Sequence, residues 1–428
     1  MAVDTPLNLR NQVIYSIFVR NYSAEGTFDA VRRDLTRIRA LGVDIIWLMP
    51  IHPIGEAARK GSLGSPYANR DYRSINTEFG TMADFRALVG EIHRQGMKCI
   101  IDVVYNHTSP DSLLSQEHPE WFYHRPDGGF GNRFGDWSDV IDLDYSNRGL
   151  WDYQIETLMM WAEVADGFRC DVAPLVPIDF WEEARSRVAR VRPGCLWLAE
   201  SVHPSFIRFA RSEGLQAASD GELYRAFDMT YDYDIYDSYL NALTGRGTPA
   251  DFIRALDEQE SRYPGNYVKM HALENHDRPR AAGLIPDVRA RRNWTAFCYF
   301  AKGAVMLYNG QESSCVDRPS LFDRDPVDWN CGEDLSPLMR RLYAIKKAPI
   351  FAHGSFSVRP AGSCAAVAEY RWQGTRLAGL FCLDGKPAAV PCELPDGHYI
   401  NLIDRETVRV DQGLAVLKGE PAILEIEA

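Results

Sequence analysis

Short apolar runs alternate with stretches of helical periodicity over roughly the first 345 residues of the chain. The run at 13–19 has the character of a strand, and apolar side chains then recur at helical spacing across 28–41. A second strand-like run at 44–49 comes before a helix where Thr81 and Asp84 have the spacing of a capping box. Near-continuous apolar strands, each followed by a helix, indicate parallel strands whose faces are covered by helices.

Strand-like runs recur before residue 310, at 13–19, 44–49, 98–105, 167–172, 195–199, 225–229, 268–273 and 304–308. Eight strand–helix units over this length predict an α/β protein whose strands close into a (β/α)8 TIM barrel. An open doubly wound sheet is the alternative, but no glycine-rich nucleotide-binding fingerprint follows the first strand.

Two stretches interrupt the strand–helix pattern. Residues 106–146 are rich in His, Pro, Gly, Asp and aromatic residues and lack periodicity, which predicts a short inserted subdomain after the third strand. Beyond Pro349 the pattern changes to short alternating segments, which predict a C-terminal antiparallel β-domain, a β-sandwich, at 351–428. The barrel then comprises 1–105 and 147–350.

The net charge of the chain narrows the classes of molecule that it is expected to bind. The chain has 47 Lys and Arg against 59 Asp and Glu, a formal net charge of −12. An acidic surface disfavours nucleic acid and anionic membranes. The N-terminus lacks the basic and apolar regions of a signal peptide, and no apolar run is long enough to span a membrane. We therefore expect a soluble, cytoplasmic protein.

The nine cysteines show no CxxC pairing, so we expect neither a disulfide framework nor a zinc site. Cysteines such as Cys170, Cys298, Cys315 and Cys331 are interpreted as small buried apolar groups. The insertion is rich in aromatic residues, which we expect to form a small core of their own. They are Trp121, Phe122, Tyr123 and Trp137.

Candidate chemistry collects where strands end, which is where barrel enzymes carry their active sites. The third strand leads to Asp102, Asn106 and His107. In the fourth, Arg169 and Asp171 point to the same side because strand side chains alternate. The Arg is expected to lower the pKa of Asp171 and keep it ionised, as a nucleophile requires.

Two more strand ends carry titratable residues. Glu200 follows an apolar strand, which favours a raised pKa and the role of a general acid. His276 and Asp277 follow the seventh strand. Glycoside hydrolysis needs two carboxylates across the scissile bond, and neighbouring strand ends about 5 Å apart suit the retaining geometry.

Four segments together resemble the signature regions of the α-amylase family, glycoside hydrolase family 13. They are DVVYNH at 102–107, GFRCDVA at 167–173, LAES at 198–201 and ENHD at 274–277. They occur in the family's order, and the resemblance extends to 42–55, 65–81 and 305–312. Each segment alone is weak evidence for the family, whereas all four segments together on the expected strands are specific evidence for it.

The resemblance implies three catalytic residues. Asp171 is similar to the nucleophile that forms a glucosyl-enzyme, and Glu200 to the general acid/base. Asp277 is similar to the third carboxylate, which binds sugar hydroxyls in the transition state. The implied substrate-binding and orienting residues are Tyr67, Asp102, His107, Arg169 and His276. For Asp102, a structural role in the barrel rim is an equal alternative.

The chain also departs from the family pattern. Members with a calcium site often carry Lys-His soon after the nucleophile segment, whereas here Pro174 is followed by Leu175 and Val176. Asn106 is the one candidate metal ligand left, so calcium is doubtful, and the chemistry requires no cofactor. Arg278 brings a charge next to the last Asp and its neighbouring subsite.

The resemblance implies a retaining hydrolase that cleaves α-1,4-glucosidic bonds of maltooligosaccharides, dextrins or starch. A 4-α-glucanotransferase, another transglycosylase or a cyclomaltodextrinase of the same fold is the first alternative. A catalytically inactive carbohydrate-binding or scaffolding homologue is the second, although all three carboxylates are present. The sequence leaves the oligomeric state open.

Overall fold

The structure is a computed structural model that describes residues 4–134 and 137–427. Residues 1–3, 135–136 and 428 belong to the predicted domains but lie outside the described residues. The strands up to residue 310 are β1 (Val13–Ile17), β2 (Ile45–Leu48), β3 (Lys98–Val103), β4 (His107–Thr108), β5 (Ile141–Asp142), β6 (Gly167–Cys170), β7 (Leu196–Ala199), β8 (Met229–Tyr231), β9 (Lys269–His271) and β10 (Gly303–Tyr308).

Eight of these strands close into a parallel barrel in the order β1-β10-β9-β8-β7-β6-β3-β2, as the sequence predicts. The helices are α1 (Val19–Tyr22), α2 (Phe28–Gly42), α3 (Met82–Arg94), α4 (Leu113–Glu117), α5 (Arg148–Ala162), α6 (Ile178–Val188), α7 (Pro204–Ser212), α8 (Asp220–Leu223), α9 (Tyr236–Leu243), α10 (Pro249–Arg262), α11 (Ala281–Leu284), α12 (Val288–Phe300), α13 (Ser336–Lys346) and α14 (Ile350–His353). The longer ones, α2 and α3 among them, bury their apolar faces against the barrel.

Local signals in the sequence explain several element boundaries. The capping box predicted at Thr81 is present: its side chain accepts the backbone N–H of Asp84, whose carboxylate accepts the N–H of Thr81. The sixth barrel strand, in contrast, was expected at 225–229 and lies at Met229–Tyr231. The chain turns before it because Ser219 caps α8, and Phe227 packs against Trp181 of α6 instead of joining the sheet.

The inserted segment follows β3 and contains the two-stranded antiparallel sheet of β4 and β5. Trp121 and Phe122 are buried and Tyr123 is half-buried, but the two buried rings join the apolar cluster of the barrel instead of forming the separate core that was expected. The expectation for Trp137 is wrong, because this ring is half-buried and lines the cleft described below. An irregular loop gives no periodicity from which the direction of a side chain can be inferred.

The C-terminal region is antiparallel. Its strands are β11 (Ser355–Ala361), β12 (Ala365–Trp372), β13 (Thr375–Cys382), β14 (Ala388–Pro391), β15 (Gly397–Ile400), β16 (Thr407–Asp411), β17 (Leu414–Leu417) and β18 (Ala422–Glu427). They form two four-stranded sheets, β11-β12-β13-β18 and β14-β17-β16-β15, whose apolar faces share one core. Phe381 of β13 packs against Phe297 and Phe300 of α12, which joins this region to the barrel. The boundaries 105/106, 146/147 and 350/351 stay a prediction.

The expectation that no disulfide forms is wrong for Cys315 and Cys331, which are bonded with their Cα atoms 5.3 Å apart. The two cysteines are 16 positions apart in an irregular stretch, so no spacing motif announces the pair. The free cysteines of the described chain are buried, except that Cys364 is partly exposed. Across residues 4–134 and 137–427, no helix combines the length and the apolar character needed to cross a membrane.

Candidate active site

A cleft of about 460 Å³ opens at the C-terminal ends of the barrel strands. The barrel, the inserted segment and the loop after β10 all contribute to its wall. A second cavity, between α9, α10 and α12, holds only about 30 Å³, which is room for about one water molecule. Of these two spaces, only the cleft can receive a sugar chain.

Asp171 and Glu200 are neighbours because of strand register. Cys170 of β6 pairs with Ala199 of β7, and the two acidic residues come next on each strand. Arg169 joins their side chains: its Nη1 donates to Asp171 Oδ1 at 2.7 Å, and its Nη2 lies 3.0 Å from Glu200 Oε2. The second contact is an ion pair without hydrogen-bond alignment. One guanidinium therefore holds both carboxylates on the same side of the barrel.

Arg169 also binds a third carboxylate, that of Asp102. Its Nη1 donates to Asp102 Oδ1 at 2.9 Å, and its Nε donates to the hydroxyl of Tyr231 at 3.1 Å. The side chains of Arg169 and Asp102 are both fully buried. Burial of such a pair is costly in free energy unless its hydrogen bonds are satisfied, which indicates a functional reason for it.

Burial controls the ionisation of the two carboxyl groups at the centre. It raises the pKa of Glu200 to about 7 against the opposing charge of Arg169, as the sequence predicts. It also raises the pKa of Asp171 to about 6, although Arg169 lowers it and Asp102 adds to the rise. The expectation of a lowered pKa for Asp171 is therefore wrong. Loss of hydration outweighs one guanidinium that is shared among three carboxylates.

The backbone after Asp171 is strained. Val172 has a φ of 35°, in the left-handed region that a β-branched side chain rarely adopts. In this conformation its N–H donates to Glu200 Oε2 at 2.8 Å. The strained peptide thus fixes the orientation of the Glu200 carboxyl group.

Asp277 lies in a cluster with an aromatic ring and a histidine. His276 Nε2 is 2.7 Å from the hydroxyl of Tyr67 and 3.1 Å from Asp277 Oδ2. The rings of Tyr67 and His276 are stacked, and the Tyr67 hydroxyl donates to Asp102. Partial loss of hydration in the cleft favours a raised pKa for Asp277, but His276, Arg169 and Arg278 lower this pKa below its ordinary value. The side chain of Asp277 is 44% exposed, so an ionised carboxylate faces the cleft.

His107 approaches Asp171 from the inserted segment. Its Nε2 lies 3.9 Å from Asp171 Oδ2, and its ring is 5.4 Å from that of Trp137. Burial lowers the pKa of His107 to about 4, so the imidazole is neutral at neutral pH. A neutral imidazole has one nitrogen that can donate a hydrogen bond to a sugar hydroxyl and one that can accept a hydrogen bond.

The predicted residues lie together in two layers. The cleft wall carries Tyr67, His107, Asp171, Glu200 and Asp277. Buried behind this wall are Asp102, Arg169 and His276. The side chain of Asp102 is fully buried and bonded to Arg169, which favours its structural reading over direct contact with a sugar. Arg169 and Asp102 are therefore best described as positioning residues.

Several cleft residues were missed by the sequence reasoning. They are Lys60, Ser65, Trp137, Asp139, Val140, Val172, Ser201, Val202, His203, Phe206, Tyr233, Leu321 and Phe322. His203 and Tyr233 follow barrel strands closely, so the rule that located Glu200 could have found them. Arg278, expected to charge the neighbouring subsite, lies in the cleft wall and donates through Nη2 to His203 Nε2 at 2.5 Å.

The surroundings of Asn106 do not fit a calcium ion. The amide Nδ2 of Asn106 lies 3.1 Å from His107 Nδ1, and nearby Asp142 accepts the backbone N–H of Arg133 and lies 3.6 Å from Nη1 of the same residue. Asp139 is bonded to Lys60 at 2.8 Å. Calcium takes six to eight oxygen ligands, whereas these acidic groups are already paired with cations. In the described part of the chain, no cluster of three or more His, Cys, Asp or Glu is arranged to hold a metal ion.

The comparisons with known proteins agree with this geometry. Residues 12–126 match the family model for the α-amylase catalytic domain, and residues 357–424 match that for the bacterial α-amylase C-terminal domain. The crystal structure of an α-amylase from Lactobacillus plantarum is 47% identical, with a TM-score of 0.96 over 98% of this chain and 100% of that one. The chain belongs to the α-amylase family.

Two further relatives differ in their activities. A noncanonic maltogenic α-amylase, AmyB from Thermotoga neapolitana, is 33% identical with a TM-score of 0.87, over 98% of this chain and 100% of that one. An α-1,4-glucan:maltose-1-phosphate maltosyltransferase of Rhodospirillum rubrum is 31% identical over 287 residues. That match covers 61% of this chain, which spans only 38% of the length of that relative. Family membership therefore does not separate hydrolysis from glycosyl transfer.

Proposed function

We propose that this protein is a retaining glycoside hydrolase that cleaves α-1,4-glucosidic bonds in maltooligosaccharides, dextrins or starch. The observation that carries the proposal is the placement of Asp171 and Glu200 directly after register partners on adjacent strands, with Arg169 between their carboxylates. Adjacent strands are about 4.8 Å apart, close to the carboxyl separation of about 5–5.5 Å that retaining enzymes use.

Each carboxyl group has a definite task in this mechanism. Ionised Asp171 attacks the anomeric carbon while Glu200 gives its proton to the leaving glycosidic oxygen, so that one C–O bond forms as another breaks. Glu200, now a carboxylate, removes a proton from water, and the resulting attack releases the sugar from Asp171 with retention. A pKa of about 7 suits a group that must first donate and then accept a proton.

The surrounding residues bind and orient the sugar. Ionised Asp277 accepts hydrogen bonds from its hydroxyl groups, and the exposed part of the Tyr67 ring offers a face for stacking. His107 reaches the same sugar, while His276 holds Tyr67 and Asp277 in place. The substrate is an α-glucan, and no cofactor takes part in any step.

Transfer to another sugar is the alternative that a specific observation favours. The relative from Rhodospirillum rubrum is named for a glucan maltosyltransferase, and the chemistry up to the glucosyl-enzyme is the same. The outcome depends on whether water or a sugar hydroxyl attacks the intermediate. Products longer than the substrate at high maltotriose would favour transfer. An inactive homologue is disfavoured because Asp171, Glu200 and Asp277 all face the cleft.

Maltoheptaose and α-maltosyl fluoride test the proposal together. Wild-type protein should convert maltoheptaose to shorter products that appear first as α-anomers in proton NMR spectra. Glu200→Gln should lower this activity about 10²- to 10⁴-fold, because proton transfer to the leaving oxygen is lost. Fluoride needs no proton to leave, so the same variant should form a maltosyl adduct on Asp171, detectable by mass spectrometry of peptides.

The exposed Glu163 provides a matched control, since Glu163→Gln makes the same chemical change outside the cleft and should keep wild-type activity. Products that appear first as β-anomers, full activity in Glu200→Gln, or an adduct on another residue would each overturn the proposal.

A further inference from the structure

A row of aromatic rings leads from the bottom of the cleft to the outer surface. From His107, the ring of Trp137 is 5.4 Å away, and Phe134 follows 6.0 Å further on. Phe206 lies 4.8 Å from Phe134, and Phe209 lies 6.5 Å from Phe206, measured between ring centroids. We call Trp137, Phe134, Phe206 and Phe209 the aromatic track.

The exposure of these rings changes along the track. Trp137 and Phe206 line the cleft, whereas Phe209 is 53% exposed on the outer surface of α7. Single exposed apolar side chains are common and need no explanation. An exposed ring that continues a series from a catalytic cleft is different, because it extends an apolar binding surface beyond the cleft.

Simple packing accounts for only part of the track. Phe134 contacts a small apolar cluster built on Ile207, Ala210 and Ala217, which attaches the inserted segment to α7. That role does not require Trp137 and Phe206 to face the cleft or Phe209 to face the solvent. Flat rings suit the apolar C–H faces of pyranose sugars, which the cleft is proposed to bind.

The position of α7 gives the track a direction. This helix begins at Pro204, four positions after Glu200, so Phe206 lies on the Glu200 side of the cleft. Glu200 is proposed to protonate the leaving oxygen, and the sugar beyond that oxygen must lie on the same side. The track therefore continues from the reacting bond toward the reducing end of the substrate.

Polar groups accompany the rings at this end of the cleft. Arg278 lies over the rings of Tyr233 and Tyr236 and donates to His203. Arg278 also lines the cleft, so its guanidinium brings a positive charge to this end of the cleft.

We propose that the aromatic track binds the glucan segment on the reducing-end side of the cleaved bond and thereby selects long chains. This inference rests on the proposed function, because the direction of the track follows from the role of Glu200. The same surface would receive the acceptor chain in a transfer reaction. Each stacked ring contributes to binding without touching the reacting atoms.

The experiment compares Phe206→Ala, Phe209→Ala and Phe209→Tyr on maltotriose and on maltoheptaose labelled at its reducing end. Phe209→Ala should lower kcat/KM for maltoheptaose about three- to tenfold, and less for maltotriose, because only the longer chain reaches the outer ring. The labelled products should also become shorter, because the variant binds the reducing-end segment of the chain less tightly. Phe209→Tyr keeps a ring and should restore the wild-type product pattern.

Val416→Ala removes an equally exposed apolar side chain, 55% exposed, on the C-terminal sheet and serves as the matched control. Equal losses on both substrates, or unchanged labelled products in Phe209→Ala, would overturn the inference. Calorimetric binding of maltoheptaose separates it from the proposed function. If the wild type binds this chain without turnover and Phe209→Ala weakens binding, glucan binding by the track stands, whereas the catalytic proposal and the direction of the track fail. Equal binding by both proteins overturns the track.

Discussion

Arg169 is the residue on which the electrostatics of the site depend. A single guanidinium faces Asp102, Asp171 and Glu200, so three buried carboxylates share one positive charge. Burial raises the pKa of all three carboxyl groups, and their mutual repulsion adds to the rise, so protons stay bound to a higher pH than usual. The strong pairing of Arg169 thus keeps an acid and a nucleophile together in different ionisation states.

The pH dependence of kcat/KM should follow from this cluster. Asp171 must be ionised and Glu200 protonated, so activity should rise with pH through about 6 and fall as pH increases through about 7. These values belong to the coupled pair rather than to either residue alone. The profile on maltoheptaose between pH 4 and pH 9 checks this expectation.

The α-maltosyl fluoride substrate tests which group causes kcat/KM to fall at alkaline pH, the alkaline limb of the profile. Its leaving group needs no proton, so kcat/KM should stay high above pH 7 while the acid limb near pH 6 remains. An alkaline limb that persists with this substrate would assign the fall in activity to a group other than Glu200.

At the scale of elements, strand ends were predictable and loops were not. Strand alternation and register fix where Asp171, Glu200 and Asp277 must lie, and these residues meet in the cleft as the sequence suggests. Trp137 lies in an irregular segment, so no period in the sequence fixes the direction of its ring. The pKa of Asp171 was predicted with the wrong sign because a sequence shows the nearby Arg but not the depth of burial.

The loop closed by the disulfide between Cys315 and Cys331 is expected to contribute to thermal stability. It contributes Leu321 and Phe322 to the cleft wall, and Leu63 N–H donates to Phe322 O at 2.9 Å. Closing a loop of this length stabilises a protein by about 3 kcal/mol, so Cys331→Ser should lower the Tm by several degrees. Differential scanning calorimetry measures the shift.

Reductant should reproduce that shift in the wild type and add nothing in Cys331→Ser. Cys364→Ser is the control, because Cys364 is a free, partly exposed cysteine and should keep the wild-type Tm. A Tm that does not respond to reduction would mean that the bond contributes nothing to stability.

For the whole molecule, the barrel and the C-terminal sheets form one body joined by aromatic packing between α12 and β13. Asn293 strengthens the junction, since its Nδ2 donates to Gly419 O and its Oδ1 accepts the N–H of Cys382. The sequence predicts both parts from their different periodicities. It does not predict their contact, because residues distant in sequence share no local pattern.

The disulfide also bears on where the protein resides. Disulfides persist in oxidising compartments and are rare in the reducing cytosol. The bond between Cys315 and Cys331 therefore weighs against the cytoplasmic location expected from the N-terminal sequence. The location itself stays a prediction.

The strained peptide at Val172 has a stereochemical consequence for proton delivery. Glu200 Oε2 accepts the N–H of Val172 and lies 3.0 Å from Nη2 of the Arg169 guanidinium, so both groups favour negative charge on this oxygen. In the neutral acid the hydrogen must therefore be bound to Oε1, and the glycosidic oxygen can receive it from that edge alone. Neutron diffraction at pH 5 should find the deuteron on Oε1. The backbone at Val172 thus determines which oxygen of Glu200 delivers the proton.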